Sequence, residues 1–308
     1  TGYSRIKVFD GSTGAGDLHH PNGIIEGSDG VLYGTTWSSD FQWPFSTDGG
    51  IFKINHDGTG YTMLAHPEMA PVARPVEGSD NVLYGTGSGG FDDQSIYVVW
   101  KINKDGTDYH SFASNILGEG CSELAEGSDG KLYGTVSQGG DFQEGILFRV
   151  EKSDTNFVQV SLGASGTDPL GPEGGLLQGN DGLLYGTTAH GGTNDGGTVF
   201  RLSGMTCSVL HSFAARDGVN PNATLVTGTN GMLYGITDEG GTRNCGLVFT
   251  IGTTGIGYRI LHNFGVSEDG CNPCSLAGGS GGTLYGVTYD GGVYGYGTIF
   301  RIQEGGNG

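Results

Sequence analysis

The tripeptide Leu-Tyr-Gly recurs six times, with its tyrosine at Tyr33, Tyr84, Tyr133, Tyr185, Tyr234 and Tyr285, at intervals of 51, 49, 52, 49 and 51 residues. A period near 50 residues filled with β-type sequence marks a propeller or a related array, because one such unit cannot bury its apolar faces alone and must stack on its neighbours. Residues 222–264 show the unit as strands over 222–228, 232–237, 247–251 and 258–264, each short, β-branched or aromatic, and bounded by Gly, Asn and Thr. The last repeat stops after its third strand, 298–302. Its missing fourth strand is read at the N-terminus, where Tyr-Ser-Arg-Ile-Lys-Val-Phe (3–9) matches Tyr-Arg-Ile-Leu-His-Asn-Phe (258–264). The expectation is all-β: a single six-bladed β-propeller of four-stranded blades over 1–308. The N-terminal strand would complete the last blade and remove the open sheet edge.

Sixty-three glycines would suggest disorder in another chain, but here they fall at fixed points of each repeat and read as turn chemistry. Fourteen basic against 33 acidic residues give a net charge of −19, which argues against nucleic-acid and anionic-membrane partners. No apolar run approaches the ~18 residues that span a bilayer. Scarce lysine and a surface rich in Asp, Ser, Thr, Asn and Gly point to a secreted, monomeric protein; no leader is read, and a mature exported chain has lost one. Five cysteines stand at 121, 207, 245, 271 and 274. Cys271-Asn-Pro-Cys274 lacks the βαβ context of a redox motif and the second pair of a zinc site. A structural disulfide from Cys271 to Cys245 or to Cys274 is expected, with Cys207 or Cys121 free.

The pattern Asp-Gly-x-Leu-Tyr-Gly-Thr-Thr…Gly-Gly…Gly-Thr-Val-Phe-Arg-Leu at 181–202 resembles the GloVer tandem repeat, a propeller-forming unit of exported microbial proteins. The resemblance spans all six units, with the third strands at 49–54 and 97–102 deviating. It implies fold and export and brings no catalytic motif.

Function must therefore be sought in residues that do not repeat. His66, His110, His211 and His262 recur near the end of strand four, and Lys53, Lys101, Arg149, Arg201 and Arg301 recur on strand three, so both sets read as scaffold. The non-recurring cations are Arg74, Arg216, Arg243, His19, His20 and His190, and all fall in the 4–1 connections or 2–3 loops, which open on one face. Spare cations gathered at a funnel mouth in an acidic chain suit an anionic ligand. Surface ion pairs with Asp217, Glu239 or Glu268 are the bland alternative. A column of aligned positions before the innermost strand, Gly23, Arg74, Glu123, Gly175, Thr224 and Ser275, is expected to line the channel mouth. Arg74 and Glu123 on adjacent blades are either a catalytic or binding pair or a salt bridge. The insertion Trp37-Ser-Ser-Asp-Phe-Gln-Trp-Pro-Phe45, with Trp43 within it, and Tyr289 and Tyr294 in the matching loop of the last repeat offer faces for sugar stacking, or a loop mini-core.

Divergent loops favour one composite site over six equal ones, hence an enzyme over a repeat lectin. The spare arginines suit a polysaccharide lyase acting on a uronic-acid glycan. An arginine would neutralise the C5 carboxylate, and a histidine or tyrosine would remove the adjacent proton. The candidate catalytic residues are His20, His190, Arg74 and Glu123. Arg243, Arg216, His19, Trp37, Trp43, Tyr289 and Tyr294 are candidate substrate contacts. One alternative is a glycoside hydrolase with two carboxylates drawn from Glu123, Glu173, Asp168, Asp238 and Asp290; the other is a non-catalytic glycan-binding propeller. No metal-ligand spacing is present and no cofactor is expected, while the Asp-rich loops are compatible with a structural Ca²⁺.

Overall fold

The computed structural model describes residues 5–9, 20–37, 49–89, 95–153, 156–265 and 269–306, the side chains of residues 95 and 113–115 excepted. Each repeat tyrosine lies on the second strand of its unit: Leu32–Thr36, Val82–Gly89, Leu132–Gly139, Leu184–Thr188, Leu233–Thr237 and Thr283–Asp290. Each of these pairs antiparallel with a third strand: Gly50–Ile54, Ser95–Asn103, Ile146–Val150, Thr198–Ser203, Leu247–Ile251 and Ile299–Gln303. Among the described residues the one helical element is a short 3₁₀ turn, Ser280–Gly282.

The register explains the tripeptide. Its glycine stands opposite an aromatic of the third strand in every unit: Gly34 and Phe52, Gly85 and Trp100, Gly134 and Phe148, Gly186 and Phe200, Gly235 and Phe249, Gly286 and Phe300. A Cβ on any of the six would run into that ring, so the glycine is required by close approach. The tyrosine points to the other face of the strand. Its hydroxyl donates to the turn aspartate four residues earlier, at 2.8 Å for Tyr33–Asp29 and Tyr84–Asp80, 3.0 Å for Tyr133–Asp129 and 2.6 Å for Tyr185–Asp181. At Tyr234 the turn residue is Asn230, which donates to the hydroxyl at 2.7 Å. These five rings are at most 3% exposed and form the packing between neighbouring sheets.

Two departures from regularity matter. The first, fourth and fifth repeats each form a four-stranded sheet, but the second and third merge into one nine-stranded sheet, contrary to separate blades. The strand His110–Cys121 runs from the outer edge of one repeat to the inner edge of the next. It contains no proline, whereas the corresponding connections of other repeats carry Pro71, Pro172, Pro221 or Pro273, which would interrupt a ladder. Among the described residues the last sheet has three strands and residues 5–9 belong to none; Tyr3 and Ser4 of the expected fourth strand lie outside the described residues. Residues 5–9 lie against the first repeat, with Phe9 at 5.3 Å from Phe52.

Candidate functional site

The innermost strand of each repeat is broken or bulged where the aligned column sits. Register shifts fall between Pro21 and Gly23 and between Pro273 and Ser275. In the second and fourth repeats the strand divides into Ala70–Pro71 then Val76–Glu77, and Pro169–Leu170 then Leu177–Gln178. Such breaks re-aim side chains and free a carbonyl from its ladder. The freed carbonyls are taken by threonines of the preceding repeat: Thr35 Oγ1 donates to Ala73 O at 2.8 Å, Thr86 to Ser122 O at 3.1 Å and Thr187 to Ala223 O at 3.0 Å. The threonine after Leu-Tyr-Gly therefore holds its neighbour's inner edge in place.

Residues from all six repeats converge there on one cavity of about 510 Å³, with Asn22, Arg74, Glu123, Gly175, Thr224 and Ser275 in its wall. Of the predicted column, only Gly23 is replaced, by its neighbour Asn22. Arg74 Nη2 donates to Glu123 Oε1 at 2.9 Å, and Arg74 Nε donates to the other carboxylate oxygen. Thr224 Oγ1 donates to the same carboxylate at 3.4 Å and accepts from Gly175 N at 2.9 Å. A side chain at Gly175 would stand 2.6 Å from Glu123 Cγ, so glycine leaves the room in which Glu123 lies. The carboxylate holds the Arg74 guanidinium above the usual arginine range, and the Arg74 side chain is still half exposed. Glu173, an exposed member of the same wall, makes no side-chain hydrogen bond or ion pair among the described residues. The cavity wall thus carries one cation and two carboxylates.

Among the described residues, none of the other catalytic or substrate-contact candidates stands in the cavity wall. His190 is exposed on the two-residue strand His190–Gly191, paired with Leu170 rather than in the cavity wall. His20 adopts φ +52° and lies 6.4 Å, ring to ring, from Trp37, which is 48% exposed. Arg243 is exposed and donates to Gly265 O at 2.9 Å, so it caps its own loop. Arg216 is exposed, as are Tyr289 and Tyr294 at 75% and 85%. His19, Trp43 and Glu268 lie outside the described residues. Of the remaining carboxylates, Asp168 accepts from Ser165 N and Oγ at 2.8 Å and serves a turn. Two recurrent histidines are paired: His211 Nε2 lies 3.0 Å from Asp217, and His262 Nε2 lies 2.8 Å from Asp269. Cys245 and Cys271 are bridged, while Cys121, Cys207 and Cys274 are free. Burial pushes the thiols of Cys121 and Cys207 up to about 12, which leaves them inert. Among the described residues no group of three or more His, Cys, Asp or Glu side chains could hold a metal ion.

Sequence reasoning passed over Asn222 and Cys274 in the cavity wall, and Phe142, 50% exposed at a loop tip. The buried Asn222 Oδ1 has no partner. Phe142 could have been found by aligning loop tips, since it stands where Arg243 and Tyr294 stand in other repeats.

An all-β array of antiparallel sheets around a central cavity is a β-propeller fold, and solved structures of that kind superpose on it. An α-L-arabinofuranosidase of Fusarium graminearum in complex with arabinobiose gives a TM-score of 0.55 at 16% identity, with 98% of each chain covered. An α-L-arabinanase of Penicillium chrysogenum complexed with arabinobiose gives 0.53 at 14% identity, with 93% of each covered. An oligogalacturonate lyase from Vibrio parahaemolyticus gives 0.63 at 10% identity, over 94% of this chain and 79% of that one. At such identities the likeness is one of fold. Residues 120–308 match the Gloeobacter/Verrucomicrobia repeat, and the chain belongs to that family. No curated protein matches the sequence.

Proposed function

We propose that this chain is an exported carbohydrate-active enzyme that cleaves a glycan at the mouth of its central cavity, with Glu123 and Glu173 as the reacting carboxylates. The observation that carries the reading is the charge balance of the wall: Arg74 is already bidentate to Glu123, and Glu173 adds a second carboxylate. A neutral sugar meets no like charge there, whereas a uronate must displace Glu123 from its arginine. In the reaction, Glu173 donates a proton to the leaving glycosidic oxygen. Glu123, oriented by Arg74 and Thr224, attacks the anomeric carbon or activates the water that does so. His20, His190, Trp37, Tyr289 and Tyr294 would contact outlying sugar units. The disulfide between Cys245 and Cys271 supports an oxidising compartment, hence export. Among the described residues no helix is long and apolar enough to cross a membrane.

A second reading, β-elimination on a uronate polymer with Arg74 as the carboxylate ligand, is favoured by the half-exposed Arg74 side chain and by exposed Arg216 and Arg243. The test is a digest of neutral polymers (arabinan, xylan) and acidic ones (polygalacturonate, alginate), read for new reducing ends and separately for the ultraviolet absorbance of unsaturated uronate. The hydrolase reading expects reducing ends without that absorbance, and a loss of roughly 10²–10⁴-fold in Glu123→Gln and Glu173→Gln. Absorbance from an acidic polymer transfers the proposal to the lyase, and no cleavage of any polymer leaves a binding module.

The reading includes a ring of six blades closed by the N-terminal segment. It is supported by how residues 5–9 sit on the first repeat. Gly58 meets the Ile6 carbonyl as Gly106 meets that of Leu64 and Gly255 that of Leu210, and those leucines belong to fourth strands. The Phe9–Phe52 contact likewise repeats Phe213–Phe249 and Phe264–Phe300.

A further inference from the structure

Among the described residues, the second and third repeats are the one pair joined by a continuous strand, His110–Cys121. On the continuous strand Glu119 stands opposite Gln138 and Gly118 opposite Gly139, as Leu170 and Pro169 stand opposite His190 and Gly191 in the fourth repeat, but here Gly118 pairs at the same time with Ser95 on the other side. The resulting wall encloses a cleft of about 370 Å³ that shares no residue with the central cavity. Gln138, Gln143, Gln159, Glu119 and Asp141 supply its polar lining, and Leu117, 46% exposed, its apolar edge.

Among the described residues, the side chains of Glu119, Gln138, Asp141 and Gln159 make no hydrogen bond or ion pair. Glu119, Gln138 and Gln159 sit on strands, so they are held in position by the ladder rather than by a mobile loop. Gln143 is fixed by its Nε2, which donates to Gly140 O at 2.9 Å, leaving its side-chain oxygen as an acceptor. At the position of Gln138 the other repeats place Ser88, His190, Glu239 or Asp290, so the amide is not part of the repeated frame.

Three primary amides that both donate and accept, and two carboxylates that accept, match a ligand dense in hydroxyl groups. The lining carries two negative charges and no cation, which disfavours anionic sugars. Leu117, with Phe142 beside the cleft at 50% exposure, offers apolar surface for the C–H face of a ring. The cavity size lies within the small-molecule range. We propose that this cleft is a second, non-catalytic site for a short neutral oligosaccharide, keeping a glycan chain on the enzyme beside the central cavity. The placement beside a reacting centre rests on the proposed function; binding in the cleft does not.

The experiment is titration calorimetry with arabinobiose, xylobiose, cellobiose and maltotriose, and with digalacturonate as the charged counterpart, on Glu123→Gln/Glu173→Gln protein. At least one neutral saccharide should bind this variant, and adding Gln138→Ala and Asp141→Ala should weaken it roughly tenfold or more, the size expected for one or two lost hydrogen bonds. If that protein does not fold, Gln159→Leu with Glu119→Gln replaces the pair. The inference is overturned if no neutral saccharide binds, if binding survives the cleft substitutions, or if digalacturonate binds there equally well. Polymer digestion by the cleft variant with Glu123 and Glu173 intact reads the catalytic proposal separately: cleavage that continues there leaves that proposal standing, whereas absence of neutral-saccharide binding to the Glu123→Gln/Glu173→Gln protein removes this one and leaves the other untouched.

Discussion

Among the described residues, the junction between the fourth and fifth repeats is complete, and the junction between the last sheet and the first repeat is half built. At the former, Phe213 is fully buried with its ring 5.2 Å from Phe249. Beside it His211 stacks on Tyr258 at 4.0 Å, and the Tyr258 hydroxyl donates to Asp217 O at 2.6 Å. At the latter, Phe9 has found Phe52, but Ile299 is 84% exposed and Tyr285, alone of the six repeat tyrosines, is 47% exposed. The difference lies in the fourth strand. It supplies the phenylalanine that covers the next repeat and the ladder partner that covers the third strand behind it. One without the other leaves apolar surface in water at about 25 cal/mol per Å².

The largest effect should come from deleting residues 1–10. If the segment joins both sides of the ring, the melting temperature falls further than for any single substitution at the 4–5 junction; an unchanged melting curve breaks the comparison. Next is Phe213→Ala, expected to cost about 3–5 kcal/mol by denaturant unfolding, as for other fully buried aromatics. Phe9→Ala should cost clearly less if its junction stays half built in solution, and as much if the ring closes. Third, Cys245→Ser removes the bridge that ties the fifth repeat to the sixth across 26 residues. A loss of about 2–4 kcal/mol is expected, visible as earlier proteolysis of the last sheet than of the fourth repeat. The smallest effect concerns pH. Burial lowers the His211 pKa, with Asp217 opposing only in part. The folded state therefore binds that proton less readily than the unfolded chain, and stability is full above the ordinary histidine value of about 6.5 and declines as pH falls below it. His211→Gln should flatten the fall in melting temperature between about pH 7 and 5; an unaltered slope assigns that fall to other groups.

Much of this frame was legible in the sequence because the repeat samples each constraint six times. The second and third strands, the turn aspartates and the scaffold histidines all emerged from recurrence. The channel column was legible for the same reason, since alignment of repeats fixes which residue stands at the break. What recurrence could not supply was anything found once. The merger along His110–Cys121 follows from a missing proline in a single connection. The pairing of Arg74 with Glu123, rather than with a ligand, depends on rotamers across two repeats. His190 and Arg243 were expected on the face of the cavity and are not in its wall, because the distance from loop tip to central wall is not written in any spacing.

The threonine grip on backbone carbonyls has a consequence for how such a protein changes over generations. Because Thr35, Thr86 and Thr187 hold the main-chain oxygens just before Arg74, Glu123 and Thr224, the backbone there does not depend on the side chain at the broken position, and three different residues are tolerated by one skeleton. The cavity wall behaves as a set of exchangeable fittings, open to new ligands one substitution at a time. The exchanges are not independent in time, however. A side chain at Gly175 would collide with Glu123, and one at Gly23 with Arg74. Enlarging Gly175 requires that Glu123 be shortened first, whereas at Gly23 the obstacle is the Arg74 Cβ, which shortening does not remove; the order of mutations, and not only their sum, therefore decides which sites descend from this one.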